Sequence, residues 1–272
     1  MEYPVPHEPQ PVPRSMKLVL IRANGALFHS LAAAALLESD AARGADRMVR
    51  FFAHDDAFCA WVSHQWLPGK AERARMLREY VETTWPEFDF AAALQEFRLA
   101  PESDRGIGPR RPGGAHEALA RSLATAQAAL FYRALARWTE DPGLRALALR
   151  FAHEEALSLP YFRSAYGQNT GIVRMRLVSA WFTARALVRT IRDVQLPFVF
   201  SCLEGHWQPH APVAPMKYRE FVRRMRRVMR QNGNLGVAER VLFAPWARRP
   251  QVRTDQRAGE PGPWFRPILR SA

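Results

Sequence analysis

Prolines divide this 272-residue chain into long windows that can each hold a continuous helix. Ten of the 21 prolines lie in the first 13 residues or after Phe243. Proline disrupts the interior of a helix, so long windows without it favour long helices. Ala and Leu are abundant while Ile is rare, which also favours helix over sheet. We therefore predict an all-α protein in which long helices can form in the proline-free windows 14–67, 113–141, 143–159, 161–196 and 216–244.

Composition and the placement of proline and glycine predict a helical protein with disordered tails. Hydrophobic residues make up 48% of the chain and charged residues 24%, which suits a folded protein with a sizeable core. The proline-rich segment 1–15 and the basic segment 245–272 are predicted to be disordered tails. A Gly-, Pro- and Arg-rich loop, 105–114, is predicted to separate N-terminal helices in 16–104 from a helical bundle in 115–244.

Several classes of protein are excluded by what the sequence lacks. Its two cysteines, Cys59 and Cys202, cannot build a disulfide scaffold and match no zinc motif. The sequence has no run of 18 apolar residues, and its proline-rich start differs from a secretory signal, so we expect a cytoplasmic protein. Nucleophile-elbow, Walker and dinucleotide-binding motifs are also absent, which leaves open whether the protein is an enzyme.

Apolar residues recur at helical spacing in the predicted bundle. Asp141 and Pro142 form a turn signal between its first two helices, with the acid as N-cap and proline at the first helical position. A third helix is expected in 171–194, and a fourth, from about Tyr218, ends near Asn232. Upstream, the spacing predicts one helix over 48–66 and shorter helices over 72–84 and 89–97.

Four polar residues fall on these apolar faces, where burial is costly without a partner. Glu155 follows Phe151 by one turn, so we expect this carboxylate to pair with an arginine or a tyrosine hydroxyl, to have a metal-binding or catalytic role, or to stay partly exposed. The other three residues predicted to point inward are Asp55, Gln127 and Ser158.

The two helices on either side of Asp141 resemble the first helix pair of a ferritin-like, rubrerythrin-type di-iron protein. The resemblance rests on Ala126–Ala136, the Thr139-Glu-Asp-Pro142 turn and Leu147–Ser158. It implies an antiparallel four-helix bundle with a di-iron or di-manganese site. The first-helix glutamate falls on Gln127, and the Glu-x-x-His motif falls on Glu155 and Ser158.

This match leaves a degenerate di-iron site. The third predicted helix contains no glutamate, and on the fourth the Glu-x-x-His spacing falls on Glu220 and Arg223. A di-iron site needs about six carboxylate and imidazole ligands, whereas at most two matched positions keep one. We therefore expect no metal cofactor, with an arginine from a facing helix pairing with Glu155.

Two histidine groupings offer alternative metal ligands. Asp55 lies beside His54, and the segment after Cys202 contains Glu204, His206 and His210 in a predicted loop. Carboxylate and imidazole groups are suitable ligands for transition metals. An alternative hypothesis is therefore a di-iron oxidoreductase that uses Asp55, Glu155, His206 and His210.

The formal charge of +13 is concentrated late in the chain. Four arginines at spacings of four, three and four residues form one face of the last predicted helix: Arg219, Arg223, Arg226 and Arg230. Such a face either is solvated or binds an acidic protein or another polyanion. The leading hypothesis is an intracellular ferritin-like protein with a degenerate, metal-free site; a helical module that binds an anionic partner is the third.

Overall fold

The computed structural model describes residues 14–100, 114–168, 195–208, 213 and 216–232, which form an all-α structure. Within these ranges the only β feature is an isolated antiparallel bridge between Phe88 and Trp207. A π-helical turn, Val62–Trp66, joins the short helix Asp56–Trp61 to the helix Leu67–Thr84. The helices are α1 (Arg14–Arg22), α2 (Gly25–Ser39), α3 (Ala41–Phe51), α4 (Asp56–Trp61), α5 (Leu67–Thr84), α6 (Phe90–Leu99), α7 (Gly114–Trp138), α8 (Pro142–Gln168), α9 (Gln195–Glu204) and α10 (Tyr218–Asn232).

Helices α7 and α8 form an antiparallel pair around the predicted Asp-Pro turn. The carboxylate of Asp141 accepts a hydrogen bond from Gly143 N at 2.8 Å, which satisfies a backbone donor in the first turn of α8. At one end of the pair Leu135 and Leu144 share an apolar cluster, and at the other end Leu119 and Phe162 share another. The turn and the two helices are therefore confirmed.

Helices α2 and α5 form a second antiparallel pair. Phe28 near the start of α2 packs edge-on against Trp85, which directly follows α5, with their ring centroids 5.3 Å apart. At the opposite end Glu38 of α2 contacts Lys70 in the first turn of α5. Both pairs contribute to one buried apolar cluster, so they pack against one another around a common core.

The predicted helix over 48–66 is wrong as a continuous element. Helix α3 ends at Phe51, and α4 begins at Asp56. Asp55 lies in the break, where its carboxylate accepts a hydrogen bond from Phe58 N at 2.9 Å. Asp competes for backbone donors more effectively at an N-cap than inside a helix, and that preference starts a new helix here.

The last two described helices pack across α2. The rings of Phe200 in α9 and His29 in α2 are stacked, with centroids 4.6 Å apart, and Phe221 of α10 packs against Phe200 at 5.5 Å. The predicted third bundle helix, 171–194, lies outside the described residues, as do most of loop 105–114 and the tail 245–272.

A buried ion cluster between two helix pairs

Glu155 is completely buried in the middle of α8, as predicted. Its Oε1 atom lies 2.6 Å from Lys70 Nζ and 2.8 Å from Arg73 Nη2. An arginine partner was expected from a facing helix, and Arg73 is that partner. The ammonium of Lys70 is a second cation that the sequence analysis did not anticipate.

Both cations come from the start of α5 and lie three residues apart, so they share one face of that helix. Lys70 Nζ also lies 3.0 Å from Glu38 Oε2, which joins α2 to the cluster. Arg73 Nη1 donates to Glu154 Oε2 at 2.9 Å, next to Glu155 on α8. The two basic residues therefore connect carboxylates on two separate helices.

The fourth helix, α7, contributes Tyr132. Its hydroxyl donates to Glu38 Oε1 at 2.9 Å, and the residue is only 1% exposed. Burial raises the pKa of Tyr132, and the neighbouring carboxylates of Glu38 and Glu155 raise it further. The phenol consequently stays protonated and acts as a hydrogen-bond donor at any physiological pH.

The cluster is electrically balanced, with two buried carboxylates and two cations. Burial alone would raise the pKa of Glu38, but Lys70 and Arg73 outweigh burial and lower it. Glu155 and Glu38 likewise raise the pKa of Arg73 despite its desolvation. Lys70 Nζ also lies 5.6 Å from the centroid of the Trp66 ring, at cation–π distance. The charged forms of Glu38 and Arg73 are thus stabilised inside the protein.

This set of side chains does not suit a di-metal centre. An ammonium and a guanidinium have no lone pair to donate, and their charge repels a divalent cation. Only Glu38 and Glu155 are ordinary metal ligands within the cluster. In the described part of the chain, no group of three or more His, Cys, Asp or Glu side chains is arranged to hold a metal ion.

The other residues predicted for the apolar faces lie outside the cluster. Gln127 is half-buried on α7, and the α7 side chain that reaches the cluster is Tyr132. Ser158 is also half-buried, and its hydroxyl donates to the backbone carbonyl of Glu154 at 3.1 Å. Asp55 caps α4, so its predicted position on an inward helical face is wrong.

The predicted ligands after Cys202 have separate environments. Glu204 ends α9 and is exposed. His206 Nε2 lies 2.7 Å from Glu96 Oε2, which belongs to α6, and the backbone carbonyl of His206 accepts from Asp89 N at 3.0 Å. These contacts join the loop after α9 to α6 and the turn before it. His210 lies outside the described residues.

The predicted arginine face is on the outer side of α10. Arg219, Arg223 and Arg226 are exposed, while Phe221 and Val228 on the same helix are buried. The side chain of Arg230 is outside the described set. Amphipathic spacing therefore gave the correct orientation for the described part of this face.

Sequence reasoning missed four members of the cluster: Glu38, Lys70, Arg73 and Tyr132. One signal was present for Arg73, which precedes the buried residues Leu77 and Val81 by one and two turns. A basic residue in phase with an apolar stripe is a candidate for a buried partner. Lys70 carries the same signal three residues earlier.

Comparison with protein-family models, with curated proteins and with solved structures finds no match to this chain. None of the helices in the described ranges is long and apolar enough to cross a membrane.

Proposed function

We propose that this protein is a metal-independent, ferritin-like helical scaffold in which a side-chain ion cluster takes the place of a di-metal centre. The observation that carries the proposal is the position of Lys70 Nζ, 2.6 Å from Glu155 and 3.0 Å from Glu38. An ammonium there supplies positive charge between carboxylates of two helices, as a metal ion would. The role that fits such a centre is structural, without metal-dependent catalysis.

The spacing of the residues supports this proposal. Di-iron bundles use single glutamates from two helices and Glu-x-x-His motifs from the other two. Helix α5 directs Lys70 and Arg73 to the cluster at the spacing of such a motif, and α8 has Glu155 and Ser158 at the same spacing. Glu38 is the single acid on α2 that faces them. On this reading, α5 holds two cations where a metal-binding relative would hold a glutamate and a histidine.

This assignment changes which helices form the centre. From the sequence, residues 115–244 are expected to form the complete bundle, with the helices of 16–104 packed against it. The contacts of Glu155 favour α2 and α5, both within 16–104, as the helices that complete it. The oxidoreductase alternative has less support, because Asp55 caps α4 and His206 pairs with Glu96.

The experiment is metal analysis of three proteins expressed with excess iron or manganese: the native chain, Glu155→Ala, and the triple variant K70E/R73H/S158H. The triple variant recreates two Glu-x-x-His motifs beside Glu38. We expect negligible metal in the native protein and in Glu155→Ala. We expect binding in the triple variant, together with a rise in its melting temperature when metal is added.

Stoichiometric metal in the native protein that is lost in Glu155→Ala would overturn the proposal and favour the oxidoreductase. A triple variant that folds, as judged by its helical circular dichroism, but takes up no metal would refute the assignment of α5 to the centre. If the triple variant does not fold, the native protein is titrated with Mn²⁺ in thermal unfolding. A saturable increase in melting temperature that depends on Glu155 would then contradict the proposal.

A further inference from the structure

Helix α1 exposes three consecutive apolar side chains. Leu18, Val19 and Leu20 are 50%, 65% and 57% exposed, while the next residue, Ile21, packs against the main core. Three successive helical residues spread over roughly 200° of the helix surface, so this stretch projects from the protein body. An exposed apolar group of this kind commonly marks an interaction surface.

The end of α1 is nevertheless firmly attached. The guanidinium of Arg22 forms an ion pair with Glu87, in the turn before α6. The backbone carbonyl of Arg22 accepts a hydrogen bond from Trp85 Nε1 at 2.9 Å. The apolar residues are therefore presented on an anchored helix.

Helix α10 presents a row of exposed arginines. Its apolar side is docked on α7 and α2, and Ser30 Oγ of α2 lies 3.0 Å from Met225 Sδ. On the opposite side, no carboxylate of the described residues forms an ion pair with the arginine face. Among the described side chains of this helix, Arg224 forms an ion pair with Glu220 at 2.8 Å. In its described part the face consists of Arg219, Arg223 and Arg226, and Arg227 is exposed beside it.

These two surfaces lie near the same end of α2. Ala26, in the first turn of α2, shares an apolar cluster with Met216 and Phe221 at the start of α10. Arg22 at the end of α1 precedes Ala26 by four residues, which is at most about 14 Å of chain. The projecting apolar residues and the start of the arginine row therefore both lie near the N-terminal end of α2.

We propose that this end of the molecule binds an anionic phospholipid surface. Leu18, Val19 and Leu20 enter the boundary between headgroups and acyl chains, and the arginines of α10 contact lipid phosphates. Surface-bound proteins gain affinity from buried apolar area and from attraction to anionic lipid together. A nucleic acid would use the arginines but has no comparable use for three projecting apolar residues, and an acidic protein would have to present an apolar patch beside its carboxylates. The proposal does not depend on the function of the ion cluster.

Co-sedimentation with vesicles tests this proposal with the full chain. One set of vesicles is phosphatidylcholine, and the other is phosphatidylcholine mixed with phosphatidylglycerol. We expect binding to the anionic vesicles only, weakened but not abolished by physiological salt. The variants R223E/R226E and L18Q/V19Q/L20Q should each lower the partition coefficient by about tenfold or more, since each removes one of two contributions. The control R50E/R145E changes the net charge equally on exposed residues elsewhere and should bind like the native protein.

The proposal is overturned if R223E/R226E and the control lose binding to the same extent, because net charge would then be the only cause. It is also overturned if the glutamine variant binds as the native protein does. The surface would be assigned to a soluble polyanion if the protein bound heparin or DNA more tightly than anionic vesicles, and if L18Q/V19Q/L20Q bound heparin or DNA as the native protein does. Circular dichroism and thermal unfolding of every variant ensure that lost binding is compared among folded proteins.

Discussion

Lys70 Nζ lies 2.6 Å from Glu155 Oε1, although the two residues are 85 positions apart in the chain. This contact joins α5 to α8 and therefore joins the two antiparallel helix pairs of the fold. Glu155 is completely buried and the Lys70 side chain is 13% exposed, which makes the contact a largely internal ion pair. Removing one partner of such a pair strongly lowers the stability of the protein, because the other partner is left as an isolated buried charge.

The first prediction concerns removal of Glu155. Glu155→Ala should lower the free energy of unfolding by about 3–5 kcal/mol, because Lys70 and Arg73 lose their shared partner inside the protein. The matched control is Glu154→Ala, whose carboxylate also contacts Arg73 but is 36% exposed. The control should cost about 1 kcal/mol or less. Urea unfolding measures both values, and equal losses would mean that burial of the pair contributes little.

The second prediction concerns the coupling between Lys70 and Glu155. The test is a double-mutant cycle with Lys70→Met and Glu155→Leu. The double variant should lose less free energy of unfolding than the two single variants lose together, by at least about 1 kcal/mol. The physical reason is that an uncharged pair leaves fewer buried ions than either single variant. Additive losses, within about 0.5 kcal/mol, would show that the two groups act independently.

A third prediction follows from the low pKa of Glu38. In the folded protein its pKa lies below the ordinary value of 4.5, because Lys70 and Arg73 outweigh the effect of burial. The unfolded chain therefore binds more protons between the two pKa values. The contribution of Glu38 to stability should be complete above about pH 4.5 and should be lost as the pH falls through its folded pKa.

Unfolding free energies measured between neutral and acidic pH test this contribution. The Glu38→Gln variant should lose less stability than the native protein over the acidic part of the range. A Glu79→Gln variant, which changes an exposed carboxylate of α5, is the control and should follow the native curve closely. Parallel curves for the native protein and Glu38→Gln would contradict the prediction.

The fourth prediction concerns His29, which lies beneath α10. Burial lowers its pKa below 6.5, and the hydrogen bond to the Gly25 carbonyl opposes this effect only in part. The folded state therefore prefers the neutral ring, whereas the unfolded chain takes up a proton near pH 6.5. Stability from this residue should be complete above that pH and should decrease below it by up to about 1.4 kcal/mol per pH unit.

Thermal unfolding between mildly acidic and neutral pH is the measurement for His29. His29→Phe keeps an aromatic ring against Phe200 but cannot be protonated, so its melting temperature should vary less with pH. His54→Ala changes an exposed histidine and should keep the native pH dependence. The idea fails if His29→Phe and the native protein lose stability equally on acidification.

The sequence by itself determined the class of structure and the inward orientation of Glu155. Apolar spacing and the Asp-Pro signal depend on local backbone chemistry, so they correctly indicated α7, the start of α8 and the turn at Asp141. The proline-free windows 143–159 and 161–196 were wrong as limits for this helix, because Pro160 lies inside α8. The same local information places Phe221 and Val228 inward on α10 and its arginines outward. A 3.6-residue period records which side of a helix is buried, and in these helices the period is clear.

Only the tertiary structure decided which residues surround Glu155. Helix α2 is buried on almost every side, so its sequence has no polar face from which the direction of Glu38 could be read. Lys70 and Arg73 lie on a helix rich in charged residues, most of which are solvated or paired at its surface. Their selection as the partners of Glu155 depends on how two helix pairs pack, and packing joins residues far apart in the chain that no local period relates.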